Sequence, residues 1–132
     1  MNGNLTLQVL HFRLAICRLQ SDAPVPEWVS GGKFWSVTRT DDECSVICEQ
    51  DRIPEGFEAE RNWMAWKVQG PLDFSMTGIL SSLLVPLSDA GISVFALSTY
   101  ETDYLLIKAD RYEDAFQVLN TACTIIGNNP AP

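Results

Sequence analysis

The sequence predicts an α+β fold of antiparallel sheets with helices on one face, and three observations predict it. Short β-prone runs fill the first half, where Leu5, Leu7 and Val9 alternate with polar residues and turn-forming residues recur between runs. In the second half the period changes, and Ile79, Leu80, Leu83, Leu84, Leu87 and Ala90 fall on one helical face. After two more β-prone runs, Tyr112, Ala115, Phe116, Leu119, Cys123 and Ile126 make a second stripe of the same period.

The elements follow in order. Leu5 to Val9 and Phe12 to Leu19 read as two adjacent strands. From Asp22 to Gly32 the chain carries Pro24, Pro26, Gly31 and Gly32 around Glu27-Trp28-Val29, which suits a connector holding at most one helical turn. Phe34 to Arg39 and Cys44 to Glu49 are strands joined by the polar tetrad Thr40 to Glu43, which has the composition of a hairpin loop. Asp51 to Asn62 mixes Pro54, Gly56 and charges with the lone apolar residues Ile53 and Phe57, so it reads as irregular or weakly helical. Trp63 to Val68 is a strand ended at Gly70-Pro71, because proline has no N–H to continue a ladder. A helix follows, with Ser75 or Thr77 available to cap it, Pro86 inside it to bend it or break it late, and Gly91 to end it in the left-handed conformation. Ile92 to Thr99 and Tyr104 to Lys108 are strands around a tight polar connection, and the second helical stripe runs to Ile126 before Gly127.

The C-terminal half therefore reads β-α-β-β-α, five of the six elements of a ferredoxin-like β-α-β-β-α-β unit. A missing sixth strand would leave a sheet position unpaired, and the spare strand from Leu5 to Val9 is the candidate to fill it. Two units are expected, residues 1–61 and 62–132, interleaved if that N-terminal strand completes the sheet of the second.

Composition narrows function. A net charge of −8, with no local Lys/Arg cluster, repels phosphate backbones and argues against nucleic acid as a partner. The apolar stretches around Ile79 to Leu87 and Ile92 to Leu97 are too short to span a bilayer. Met1 to Thr6 lacks the basic start of a signal peptide, so a cytoplasmic location is expected. In that reducing setting Cys17, Cys44, Cys48 and Cys123 are read as buried free thiols. Cys44 and Cys48 would align as metal ligands on a helix, but Ser-Val-Ile between them is β-prone. On a strand they lie about 13 Å apart and cannot clasp one ion.

Three runs, GPLDFSMTGIL from Gly70 to Leu80, PLSDAGIS from Pro86 to Ser93 and LSTYETDYLLIK from Leu97 to Lys108, then carry a resemblance. Together they resemble the tandem ACT-domain proteins related to the regulatory part of aspartate kinases and to the cytosolic arginine sensors of animals. KFWSVTRTDDECSVI, from Lys33 to Ile47, looks like the first unit of the same family. The resemblance implies a pair of βαββαβ units, no cofactor, and an amino acid bound where one unit meets another, in a homodimer. It implies a site at the loop after the first strand of the second unit and the edge of a neighbouring strand: Gln69, Gly70, Asp73, Phe74, Ser75, Met76, Thr77 and Gly78, facing Thr99, Tyr100 and Asp103.

Physical chemistry supports that placement. A loop entering a helix offers unpaired N–H groups at the positive end of the helix dipole, so the segment from Asp73 to Gly78 can hold an α-carboxylate without a basic side chain. Asp103 can face an α-ammonium. The arginine sensors carry acidic side chains where this chain has Ser75 and Met76, so a smaller or apolar amino acid suits Met76 and Phe74 better than arginine does.

Plainer readings stand beside these. Asp73 can be a helix cap, Asp103 can bond its own turn, Tyr100 can be packing with a wet hydroxyl, and Gly78 and Gly91 can simply relieve the backbone. Trp63 and Trp66 cannot face the same side of one strand, so at least one tryptophan can be exposed; an exposed one can mark a subunit interface, although partial burial in the core is the more common explanation. His11 is the sole histidine and no phosphate loop, dinucleotide fingerprint or metal motif accompanies it, so an enzyme is not expected. The rivals are a ligand-free assembly module binding an unidentified protein partner, and a small hydrolase or isomerase built on His11.

Overall fold

The computed structural model describes residues 5–69 and 78–130. Its strands are β1 (Thr6–Val9), β2 (Leu14–Leu19), β3 (Trp35–Arg39), β4 (Cys44–Glu49), β5 (Glu60–Val68), β6 (Phe95–Ser98), β7 (Asp103–Lys108) and β8 (Thr124–Ile126); its helices are α1 (Ile79–Asp89) and α2 (Tyr112–Leu119). Phe12–Trp63 builds one compact unit, continuous in sequence. Met1–His11 and Met64–Pro132 build the other, which is split. The two are interleaved along the chain, and β5 contributes to both.

In the continuous unit the strands pair in the order β3-β4-β2-β5. β2 runs antiparallel to β4 from Leu14↔Glu49 to Leu19↔Cys44, and β3 runs antiparallel to β4 from Trp35↔Cys48 to Arg39↔Cys44. The hairpin between β3 and β4 closes with the Thr40 N–H donating to the Glu43 carbonyl at 2.9 Å. β5 meets β2 at Leu14↔Trp63 and Ile16↔Glu60, with a register shift between them, and Asn62 beside it has φ of 68°. Asparagine tolerates that left-handed conformation, and here its side chain is held by Arg13 at 3.1 Å and Gln50 at 3.2 Å. Numbered within the unit, the strand order is 2-3-1-4, the ferredoxin-like order.

Both helical crossovers of that unit have shrunk to 3-10 turns, Glu27–Val29 and Gln50–Arg52. Prolines and glycines on both sides of the first, and β4 before with Pro54 and Gly56 after the second, leave neither segment a run long enough for an α-helix. The sheet face bearing Ala15, Cys17, Cys44, Val46 and Cys48 still needs cover, and Val29 and Ile53 are buried against it. Trp28 and Phe57 complete the cover, their rings meeting edge to face at 5.0 Å. Arg52 pins this lid by donating to the Trp28 carbonyl at 2.9 Å, and Glu49 accepts from the Lys33 and Phe34 amides.

In the split unit the order is β6-β7-β5-β1-β8. β1 is antiparallel to β5, from Leu7↔Val68 to Val9↔Trp66, and parallel to β8, from Thr6↔Thr124 to Gln8↔Ile126. With β5 to β8 numbered one to four, the order is again 2-3-1-4, with β1 interposed between one and four. Leu7, Val9, Trp66, Val68, Leu105 and Ile107 form the sheet side of the core. Leu83 and Leu87 of α1 and Tyr112, Ala115 and Leu119 of α2 cover it. The Trp66 indole N–H donates to the Tyr112 hydroxyl at 3.2 Å within this core.

Two expectations are corrected. The second helix ends at Leu119, not Ile126, and Thr124–Ile126 is the sixth element that the sequence reading lacked. The chain turns on the Leu119 carbonyl, which accepts from Cys123 at 2.9 Å, and the Thr124 amide then donates to Leu5 at 3.0 Å to begin a ladder of β-branched residues. Strand β5 also begins at Glu60, three residues before the expected Trp63. α1 continues past Pro86 to Asp89 and ends as expected at Gly91, with φ of 74°. Ile92 N–H donates to the Leu87 carbonyl and Gly91 N–H to the Ser88 carbonyl, both at 2.9 Å, and Ile92 packs in the same core as Leu87, which is a Schellman termination.

Candidate functional site

The expected site divides into two groups of residues on the split unit. Gly70, Asp73, Phe74, Ser75, Met76 and Thr77 lie outside the described residues. Gln69 is exposed where β5 ends, its amide donating to the Thr6 carbonyl at 2.8 Å. Gly78 occupies the position before α1 with φ of 78°, and a Cβ there would meet nothing within 4 Å, so the backbone conformation and not space favours glycine. Its carbonyl accepts from the Ser82 amide at 3.0 Å and the Ser81 hydroxyl at 3.2 Å. The first amides of α1 have no partner within the helix, which is the general condition of a helix start.

The connection between β6 and β7 is a tight turn held by threonine. Thr99 N–H donates to the Thr102 carbonyl at 2.8 Å, and the Thr102 amide donates to the Thr99 hydroxyl at 3.3 Å. Tyr100 stands at the tip with 81% of its surface exposed. Ser98 and Asp103 face each other across the hairpin, and the Ser98 hydroxyl donates to the Asp103 carboxylate at 2.6 Å. That contact fixes the carboxylate of Asp103 by a side chain on the opposite strand.

One residue that the sequence reading missed ties this turn to the end of β5. Thr102 is buried at 4% exposure, and its hydroxyl donates to the Val68 carbonyl at 2.6 Å. Asp103 and Thr99 therefore lie beside the exit of β5, one residue before Gln69. The available signal was the Thr99-x-x-Thr102 spacing, a pattern by which a threonine hydroxyl closes a turn.

Other candidates separate from this place. His11 is exposed. Among the described residues no group of three His, Cys, Asp or Glu side chains stands close enough to hold a metal ion. All four cysteines are buried free thiols, as expected. Burial pushes the thiols of Cys17 and Cys123 up and that of Cys48 up to about 11, so they stay protonated at neutral pH and make poor nucleophiles or ligands. Cys44 and Cys48 share one buried face of β4. Of the tryptophans, Trp66 is fully buried and Trp35 on β3 is 48% exposed. A shallow groove of about 520 Å³ opens between Leu84, Ser88, Gly91 and Val94, at the C-terminal end of α1, and holds none of the expected site residues. No helix among the described residues is long and apolar enough to cross a membrane.

Comparison with known proteins bears on this geometry. The family profile of the ACT domain matches residues 58–121, and a second profile, of an N-terminal domain, matches residues 13–56. A protein of Agobacterium tumefaciens with a crystal structure is 36% identical, superposes with a TM-score of 0.88, and covers 98% of each chain. The cytosolic arginine sensor for mTORC1 subunit 1 of Bos taurus is 27% identical, with 76% of this chain and 35% of that protein covered. The aspartate kinase of Clostridium acetobutylicum superposes with a TM-score of 0.63 at 12% identity, covering 89% of this chain and 33% of the enzyme, which is a likeness of fold alone. The chain spans between about a third and about half of the length of the curated relatives it matches.

Proposed function

The chain belongs to the ACT-domain family, and from that premise we propose that it is a non-catalytic regulatory module whose split unit binds a small amino acid. The observation that carries the reading is the 2.6 Å bond from Thr102 to Val68, which sets the turn bearing Asp103 beside the exit of β5. The start of α1 supplies backbone amides for an α-carboxylate, and the Asp103 carboxylate, steadied by Ser98, supplies the acceptor for an α-ammonium. With Ser75 and Met76 in place of acidic residues, a small or apolar side chain fits the reading better than a guanidinium. The module acts in the cytoplasm as a homodimer. Ligand favours one packing of its units over another by the difference in its affinity for the two, and a protein partner reads the change.

Calorimetric titration of the whole chain against the twenty amino acids tests this. One amino acid, or a small related set, binds, and Asp103→Asn weakens it by about tenfold to a hundredfold, the range for losing a charge-assisted hydrogen bond. Silence of the wild-type chain at millimolar concentrations sinks the reading. It would favour the ligand-free assembly module, which has one observation behind it, the exposed Trp35 on the edge strand β3.

A further inference from the structure

We propose that Thr102 is a positioning residue for the ligand site, joining the turn that carries Thr99 and Asp103 to the exit of β5 so that the two move as one body. The inference rests on the proposed amino acid reading for its ligand and shares with it the Thr102–Val68 bond, and the exchange measurement below tests that bond without a ligand.

Thr102 is the buried polar side chain among the described residues of the core, and a hydroxyl held away from water needs a partner. Its partner is set by the alternation of peptide groups along β5. The Ala65 carbonyl accepts from the Leu10 amide at 2.9 Å, and the Gln69 amide donates to the Thr6 carbonyl at 2.8 Å, so the peptide groups of Ala65 and Gln69 face β1. The Val68 carbonyl, of opposite parity to both, faces the other side, toward β7. β7 begins only at Asp103, and the Thr102 hydroxyl reaches the Val68 carbonyl at 2.6 Å where the ladder has not yet started. Thr102 also accepts the Thr99 amide on its own carbonyl at 2.8 Å, so one residue closes the turn and fastens it to β5.

A purely local role would be satisfied by the turn alone, since the Thr99 bonds already close it. The bond to Val68 adds a second effect, because it transmits any displacement of Asp103 to the strand end from which Gln69 leaves. A side chain of the same shape without a donor separates the two effects, and serine, with a donor and one methyl fewer, restores the bond.

The experiment measures amide hydrogen exchange and ligand binding on the full chain for wild type, Thr102→Val and Thr102→Ser. In Thr102→Val the amides of Thr99 and Gln69 both exchange about tenfold faster, the order expected for one buried hydrogen bond lost, and Thr102→Ser brings both back. The amino acid found by titration of the wild type binds about tenfold more weakly to Thr102→Val and near the wild-type value to Thr102→Ser. Faster exchange at Thr99 with no change at Gln69 overturns the coupling. Equal affinity in Thr102→Val and wild type overturns the positioning role while leaving the amino acid reading intact. Silence of the wild type toward every amino acid removes the ligand reading, and the exchange pair then decides the coupling by itself. Should the valine variant fail to fold, Thr102→Ala against Thr102→Ser gives the same comparison.

Discussion

Replacing Tyr112 with phenylalanine tests how the core of the split unit is closed. Tyr112 begins α2 and is 5% exposed, and its phenolic oxygen receives the indole N–H of the fully buried Trp66 at 3.2 Å. Its ring lies 5.4 Å from that of Trp66 and 6.3 Å from that of Phe116. Phenylalanine keeps both ring contacts, so the change removes one acceptor and leaves a buried N–H without it. Such a group costs about 1–3 kcal/mol, and freeing the phenolic oxygen from its own burial offsets part of this, which leaves a destabilisation of about 1–2 kcal/mol. For a chain of this length about 1 kcal/mol moves Tm by about 3–5 °C. Thermal and urea unfolding followed by circular dichroism should therefore show Tm lower by several degrees. Trp66→Phe removes the donor instead, and the double variant should lose less than the sum of the two single ones, by about 1 kcal/mol. Strict additivity, with a Tyr112→Phe variant as stable as the wild type, would refute the assignment of the bond as a core constraint.

Gly91→Ala isolates a backbone cost, since a Cβ there would meet nothing within 4 Å and only the left-handed φ of 74° opposes it. A loss of about 1–2 kcal/mol is expected from the urea midpoint, and an unchanged midpoint would mean that the helix does not need its left-handed terminus. Alkaline pH should weaken the fold. Burial raises the thiols of Cys48, Cys17 and Cys123 and the phenol of Tyr112 in the folded state; for Cys48 the contribution is complete below the ordinary thiol value near 9 and is lost as pH rises through about 11. Under reducing conditions Cys48→Ala should flatten the fall in unfolding free energy between about pH 8 and about pH 11, and equal slopes in the two proteins would rule Cys48 out as its source.

The parts of the fold that were legible in the sequence are those specified by near neighbours. Short β-prone runs bounded by turn residues marked the strands of the continuous unit, Thr40 to Glu43 closed as a hairpin, and Gly91 ended α1 because a left-handed terminus is written locally. The stripe through Leu119, Cys123 and Ile126 misled because Cys123 is buried at a spacing that fits a helix, although it lies beyond the helix end. A strand of three residues is too short to show its own period, and β8 is recognisable only by its pairing with β1 at the far end of the chain. The same limit hid Thr102, whose partner Val68 is 34 residues away. Of the expected site, Asp103, Thr99 and Gln69 gather around that bond, and the central loop residues lie outside the described segment.

The two units show why a ligand is sought on only one of them. Both keep the relative strand order 2-3-1-4, the split unit with β1 interposed between one and four, so that order does not by itself favour either unit as a ligand site. Their crossovers do. A 3-10 turn of three residues, such as Glu27–Val29 or Gln50–Arg52, aligns too few peptide dipoles to present a positive end, and its place against the sheet is taken by Trp28 and Phe57. α1 has eleven residues and a left-handed glycine before its first turn, so the proposed reading assigns the carboxylate to its first amides. That assignment is proposed for the split unit alone. The continuous unit is left with packing its sheet and displaying the edge strand β3, on which Trp35 stands exposed.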